Sequence, residues 1–228
     1  MSSRSLNRDD LRMRFWLMAV LLPQALAAQF WGASLGRVSA TVDWQVPKPS
    51  QPCDFCVVDV APNASRESWA PAIAVNARSE KLVGLSSEIR YTLKGYATTQ
   101  PTLNIHYLET PALVRVGHLV STHTRASPFI EAGPALALRV HCEVEYNSTG
   151  AACKKGVAFG QDWRVRSFDI SGVAGIGLAI RAGSEVIVAG ARVDRGMVDI
   201  GGGQGVPTKN RSNLLYVSLL SPIAHHSR

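Results

Sequence analysis

Apolar and polar residues alternate along much of this chain, and the longest such run is Pro128–Tyr146. Ile130, Ala132, Pro134, Leu136, Leu138, Val140, Cys142, Val144 and Tyr146 form one series. Glu131, Gly133, Ala135, Ala137, Arg139, His141, Glu143 and Glu145 form the other. Successive side chains of a strand point to opposite faces of its sheet, so this run predicts a strand with one apolar face. A half-buried strand in a soluble protein alternates as well. Length separates the two cases: globular strands run about 5–6 residues, and tilted membrane-spanning strands about 9–11.

The same period recurs in seven other segments. Phe30–Val42 is the first predicted strand, Trp69–Ala77 the second and Val83–Tyr96 the third. In the third, Val83, Leu85, Ser87, Ile89, Tyr91 and Leu93 face outward, and Ser86, Glu88, Arg90, Thr92 and Lys94 inward. Leu103–His118 is the fourth, with Leu108, Ala112, Val114 and Val116 outward and Glu109 and Arg115 inward. Pro111 lacks a ladder donor and is expected at a bulge. Pro128–Tyr146 is the fifth and Arg166–Arg181 the sixth. In the sixth, Phe168, Ile170, Ala174, Ile176, Leu178 and Ile180 oppose Asp169, Ser171, Gly175, Gly177 and Arg181. Glu185–Ile200 is the seventh, with Arg192 and Asp194 inward, and Arg211–Leu220 is the last. Connections are long after strands one, five and seven, and short after two and six. Short turns at one end and long loops at the other are the layout of an outer-membrane barrel. The predicted fold class is therefore all-β: an eight-stranded antiparallel up-and-down transmembrane β-barrel.

Composition changes this picture little. The chain has 228 residues, 46% apolar and 18% charged, which excludes disorder and is poor in charge for a soluble domain. Of the net charge of +7, two units fall in the N-terminal segment, where Arg4, Arg8, Arg12 and Arg14 outnumber Asp9 and Asp10. No aromatic-interleaved basic stripe is present, so nucleic acid is not an expected partner. Arg12 and Arg14 precede the apolar run from Phe15 to Leu22, and Ala25-Leu26-Ala27 forms a small-x-small site. Residues 1–28 therefore read as an export signal, 29–221 as the barrel and 222–228 as a C-terminal tail. Pro23 and Gln24 cut the run short of the ~20 residues that a helix needs to span. The four cysteines agree with an oxidising compartment and suggest two local disulfides, Cys53–Cys56 and Cys142–Cys153.

Three pieces carry a resemblance to a known family: Gly84–Gly95 (GLSSEIRYTLKG), Tyr107–Leu113 (YLETPAL) and Pro128–Pro134 (PFIEAGP). Phe168-Asp169-Ile170 followed by Gly175-Ile176-Gly177-Leu178 is a fourth. In their order and spacing these resemble the PorT-like outer-membrane β-barrel family of Gram-negative bacteria, over about Phe30 to Leu220. The resemblance implies an eight-stranded barrel in the bacterial outer membrane, with no assigned chemistry for most members and a link to protein secretion for one. Barrels of this kind usually end on an aromatic residue, whereas this chain ends Ser221–Arg228. Either the tail is an extension, or the last strand is recognised differently by the assembly machinery.

Candidate chemistry lies on the inward face. Glu88, Arg90, Lys94, Glu109, Arg115, Glu131, Arg139, Asp169, Arg192 and Asp194 mix both signs, which predicts ion pairs bracing the lumen. Eight strands leave room for side chains and no open pore. His225-His226-Ser227 and the neighbours His141 and Glu143 lack the strained serine elbow of a hydrolase. His106, His118 and His123 lack metal spacing, and Gly201–Gly205 lacks the Lys-Ser/Thr of a phosphate loop. No metal or cofactor is expected. The expected function is a non-catalytic outer-membrane barrel, structural or interaction-bearing. Its partners would be outer-membrane lipid, the barrel assembly machinery and a protein at loops 44–68, 147–161 and 201–210. The alternatives are a soluble periplasmic lipocalin-like barrel holding an apolar ligand, and a lipid-hydrolysing outer-membrane enzyme.

Overall fold

The computed structural model describes residues 28–44, 65–77, 82–97, 102–118, 125–146, 149–153, 165–200 and 208–223. The strands are β1 (Ala28–Trp44), β2 (Arg66–Ala77), β3 (Val83–Ala97), β4 (Thr102–Val116), β5 (Ala126–Tyr146), β6 (Thr149–Ala152), β7 (Phe168–Ala182), β8 (Glu185–Gly196) and β9 (Thr208–Pro222). They form one sheet in the order β4-β3-β2-β1-β9-β8-β7-β5-β6, and the β4–β5 pairing closes it into a ring. Every pairing is antiparallel. Eight strands are staves of an up-and-down barrel. The ninth, β6, returns on β5 as a short hairpin, where the sequence suggests only a polar loop.

Closure leaves no edge exposed, because the first and last staves pair along their length from Phe30↔Pro222 to Trp44↔Thr208. One end of the barrel carries the short connections 78–82, 117–125 and 183–184 together with both ends of the stave sequence. The opposite end carries the connections at 45–65, 98–101, 147–167 and 197–207. These are the turn end and the loop end. The export signal, the Cys53–Cys56 pair, His123 and the His225-His226-Ser227 tail lie outside the described residues.

Two expectations about faces are corrected by the register. Pairs Ser87↔Ala112 and Arg90↔Glu109 keep the same register on either side of Pro111, so proline sits in the wall without a bulge. Its ring is buried on the inward face, and it forgoes one ladder bond. The bulge lies instead on β5 at Val140, where the register with β4 shifts between His106 and Tyr107. Inserting one residue inverts every position that follows. His141 and Glu143 therefore face outward with side chains 57% and 42% exposed, and Cys142 turns inward and is buried. The simple alternation of Pro128–Tyr146 assigns all three to the opposite side. Strand limits also move: β9 begins at Thr208 rather than Arg211, and β8 ends at Gly196 rather than Ile200.

Candidate functional site, the charged lumen and the outer wall

Alternation on the staves sends Glu88, Arg90 and Lys94 (β3), Glu109 and Arg115 (β4), Glu131 (β5), Asp169 (β7) and Arg192 and Asp194 (β8) into the interior, where all are buried. The closed sheet then joins eight of them in one alternating chain of charge. Arg115 Nη2 donates to Glu131 Oε2 at 3.0 Å, and Arg192 Nε donates to Glu131 Oε1 at 2.6 Å. Arg192 Nη1 donates to Glu88 Oε1 at 2.8 Å, and Arg90 lies 3.3 Å from that same oxygen. Arg90 Nη2 donates to Glu109 Oε2 at 3.1 Å. Lys94 Nζ bridges Glu109 at 2.5 Å and Asp194 at 3.0 Å.

Neutral groups fill the remaining valences. Tyr216 Oη donates to Glu131 Oε1 at 2.9 Å, and Asn76 Oδ1 accepts from Arg115 Nη1 at 3.0 Å. Asn210 Nδ2 donates to Asp169 Oδ2 at 2.7 Å and lies 3.3 Å from Tyr107 Oη. The guanidinium carbons of Arg115 and Arg192 stand 4.2 and 4.3 Å from the ring centroids of Phe129 and Tyr216, a stacking that stabilises a desolvated cation. The Tyr216 ring needs a gap on the facing stave, and Gly190 provides it, since a Cβ there would lie 2.8 Å from the ring. Removing one charge from such a chain strands another in a dry interior, at about 3–5 kcal/mol.

Two predicted lumen residues stand apart from the ion pairs. Asp169 is held by Asn210 rather than by a cation. Arg139 is half-buried, and its Nη1 donates to the Val165 carbonyl at 2.6 Å. Val165 and Ile200 turn in from the loop end and pack with Leu103, Ile105, Tyr107, Ala137 and Cys142 into an apolar plug over the network. The Cys142–Cys153 disulfide lies at the margin of this plug and ties the β5–β6 hairpin. At the other flank Val38, Ala70, Ala74, Phe129, Val186, Val188, Leu214 and Leu220 form a second cluster. The void left in the lumen beside Glu88, Arg115 and Arg192 is about 10 Å³, on the scale of one water. Neither a pore nor an apolar ligand cavity is present among the described residues.

Sequence reasoning missed Tyr107, Tyr216, Asn76 and Asn210 as members of this network. Each lies on an inward position, but a tyrosine or asparagine in an alternating strand carries no charge to draw attention to it.

The outer wall has the opposite character. Leu35, Ile73, Ile89, Val114, Ile130, Ile176, Ile187, Leu215 and Val217 are all exposed, Ile176 at 64% and Leu215 at 66%. Trp69, Tyr91 and Phe168 are exposed toward the loop end, and Trp31 toward the turn end. An ion pair of Arg37 with Glu67 lies beside Trp69 on the loop-end side of this belt. Further round, Tyr91 Oη hydrogen-bonds His106 Nδ1, and the His106 and His141 rings lie 5.2 Å apart. These groups point away from the lumen, so His141 and Glu143 share no cavity with a nucleophile. Among the described residues no group of three His, Cys, Asp or Glu is placed to hold a metal.

No family model matches the chain, and no curated protein sequence does. Among solved structures it is similar to Neisserial surface protein A, NspA, at 13% identity over 85% of this chain and 97% of that one, with a TM-score of 0.48. It is also similar to Ail, the attachment invasion locus protein of Yersinia pestis, at 11% identity over 85% of this chain and 99% of that one, with a TM-score of 0.44. The barrel architecture rests on the closed sheet itself.

Proposed function

We propose that this protein is a small β-barrel of the bacterial outer membrane, with a structural or interaction role carried by its loop end. One observation supports the reading above the rest: the staves put ionised side chains inside and a continuous apolar belt outside. Water would penalise that belt at about 25 cal/mol per Å² of apolar surface, whereas a bilayer core accepts it. Exposed aromatics toward both ends match the interfacial girdles of membrane barrels. The PorT-like resemblance fits the same reading. A lipocalin-like carrier needs a hollow apolar interior, and this lumen is filled by paired charges.

The reading is of a non-catalytic protein, because the lumen carboxylates are engaged by cations and closed off by the plug. Partners would then meet the loop end, where the β5–β6 hairpin is pinned by its disulfide, and loops 44–68, 147–161 and 201–210 converge. Fractionation of cells producing the native chain tests the placement. The barrel is expected in the membrane pellet, released only by detergent, and migrating faster on gels before boiling than after. Recovery from the soluble periplasm without detergent overturns it.

A further inference from the structure

Two adjoining features of the outer wall are not explained by a uniform lipid-facing belt. The first is a shallow groove of about 700 Å³ running across β1, β9, β8 and β7. Ala174 and Ala191 form its floor. They lie diagonally across the β7–β8 ladder, because Ala174 pairs with Val193 and Ile176 with Ala191. Ile176, Val193 and Leu215 stand up around them, and Asn213 and Ser39 line the polar edge. The second feature is a pair of outward, exposed arginines, Arg195 on β8 and Arg211 on β9, directly opposite each other.

Like charges facing each other across a ladder repel. The other register partners of these arginines are neutral: Gly172 for Arg195 and Thr41 for Arg211. Arg195 Nη1 donates to the carbonyl of Asp194 at 3.1 Å, which orients its guanidinium along the wall. Arg195 lies two residues beyond Val193, and Arg211 two beyond Asn213. On one strand face that spacing is about 6.6 Å, so the arginine pair abuts the polar edge of the groove on its loop-end side. Arg37 lines the same edge but is already engaged by Glu67.

We infer that the arginine pair and the groove form one binding site for a phosphorylated lipid of the leaflet nearest the loop end. The phosphate sits between the two guanidiniums, and an acyl chain lies along Ala174 and Ala191. Guanidiniums bind phosphate oxygens in a planar fork with charge-assisted hydrogen bonds, and the anion relieves the repulsion between the opposed cations. The groove opens sideways into the apolar belt, so its occupant arrives from the bilayer plane and carries a tail. Free phosphate satisfies only the arginines, and a neutral lipid only the groove. A symmetric contact with a second copy would bring two arginine pairs together, which disfavours self-association through this face. The inference rests on the membrane reading above.

The test uses the full-length mature barrel in phosphatidylcholine nanodiscs, with bound lipid counted by native mass spectrometry. Lipid A, added phosphatidylcholine and inorganic phosphate are the three probes. Lipid A is expected to be retained in preference to phosphatidylcholine, with inorganic phosphate competing poorly. Replacing both arginines (Arg195→Gln with Arg211→Gln) is expected to weaken lipid A retention roughly tenfold or more, as loss of hydrogen bonds to a charged group implies. Ala191→Leu, which fills the floor, is expected to weaken it while leaving both arginines in place. Heat-modifiable mobility establishes that each variant is folded, and Arg195→Lys with Arg211→Lys serves as a milder pair if the glutamines do not fold. Unchanged lipid A retention in folded arginine variants overturns the inference. So does insensitivity to Ala191→Leu combined with full competition by inorganic phosphate. A barrel that enters nanodiscs but does not distinguish lipid A from phosphatidylcholine sinks this site and leaves the membrane reading standing. A barrel that needs no detergent sinks both.

Discussion

The inner and outer faces of the same staves obey opposite rules. On β3, Glu88, Arg90 and Lys94 are buried inside, while Ile89 and Tyr91, their immediate neighbours, are exposed outside. A soluble barrel reverses this, because water gathers charge on the outside and drives apolar groups in. The inversion is tolerable only when both halves hold at once. The outer belt needs an apolar solvent, and the inner charges need partners to offset their desolvation. The alternating chain from Arg115 to Asp194 supplies those partners. A pair at the outer wall, Arg37 with Glu67, faces a different balance, since its side chains are 63% and 55% exposed.

The most severe break in this contrast is expected at Glu131, which accepts from Arg115, Arg192 and Tyr216. Glu131→Ala leaves two buried arginines without their shared carboxylate and is expected to lower stability by about 3–5 kcal/mol. Urea unfolding of the barrel in lipid vesicles reads this. A loss under about 1 kcal/mol would mean that water reaches the network. Next comes the outer face. Ile176→Arg places a cation in the belt and is expected to cost about 2–4 kcal/mol in a bilayer. The same change on a water-facing wall stays within about 0.5 kcal/mol, so the same unfolding assay separates the two solvents.

A smaller effect is expected where the two faces meet at the loop end. Gly95 has φ of +137°, and a Cβ there would collide with the Leu103 carbonyl oxygen of the adjoining stave. Gly95→Ala is expected to cost about 1–3 kcal/mol, with faster amide exchange concentrated on the β3–β4 ladder. The smallest effect sharpens the contrast between pairs. A double-mutant cycle on Arg37 and Glu67 is expected to give a coupling below about 1 kcal/mol, and the same cycle on Arg192 and Glu88 a much larger one. Equal couplings would remove the distinction drawn here between the wall and the lumen.

Much of this organisation was legible in the chain. The inward placement of Glu88, Arg90, Glu109, Arg115, Glu131, Asp169, Arg192 and Asp194 follows from a period of two on each strand, a property of neighbouring residues alone. What failed was local alternation carried through an irregularity. Val140 bulges because β4 and β5 change register between His106 and Tyr107, and nothing in Pro128–Tyr146 taken alone marks that residue. Pro111 misled in the other direction. Its missing donor suggested a bulge, yet both neighbouring strands keep their register around it. The ladder loses less by one absent hydrogen bond than by a slip that would turn every following side chain to the wrong face.

The sequence by itself determined that this protein is built of long, two-faced strands, and which side of each stave bears charge. Both follow from the geometry of one extended backbone. Only the tertiary structure decided which charges meet. Arg192 and Glu88 are 104 residues apart, and Lys94 and Asp194 are 100 apart. Their contact depends on the β4–β5 seam that closes the ring and on the stagger of every stave between them. The opposed arginines on the outer wall come from that same stagger, since one residue of slip would place a neutral side chain across from each.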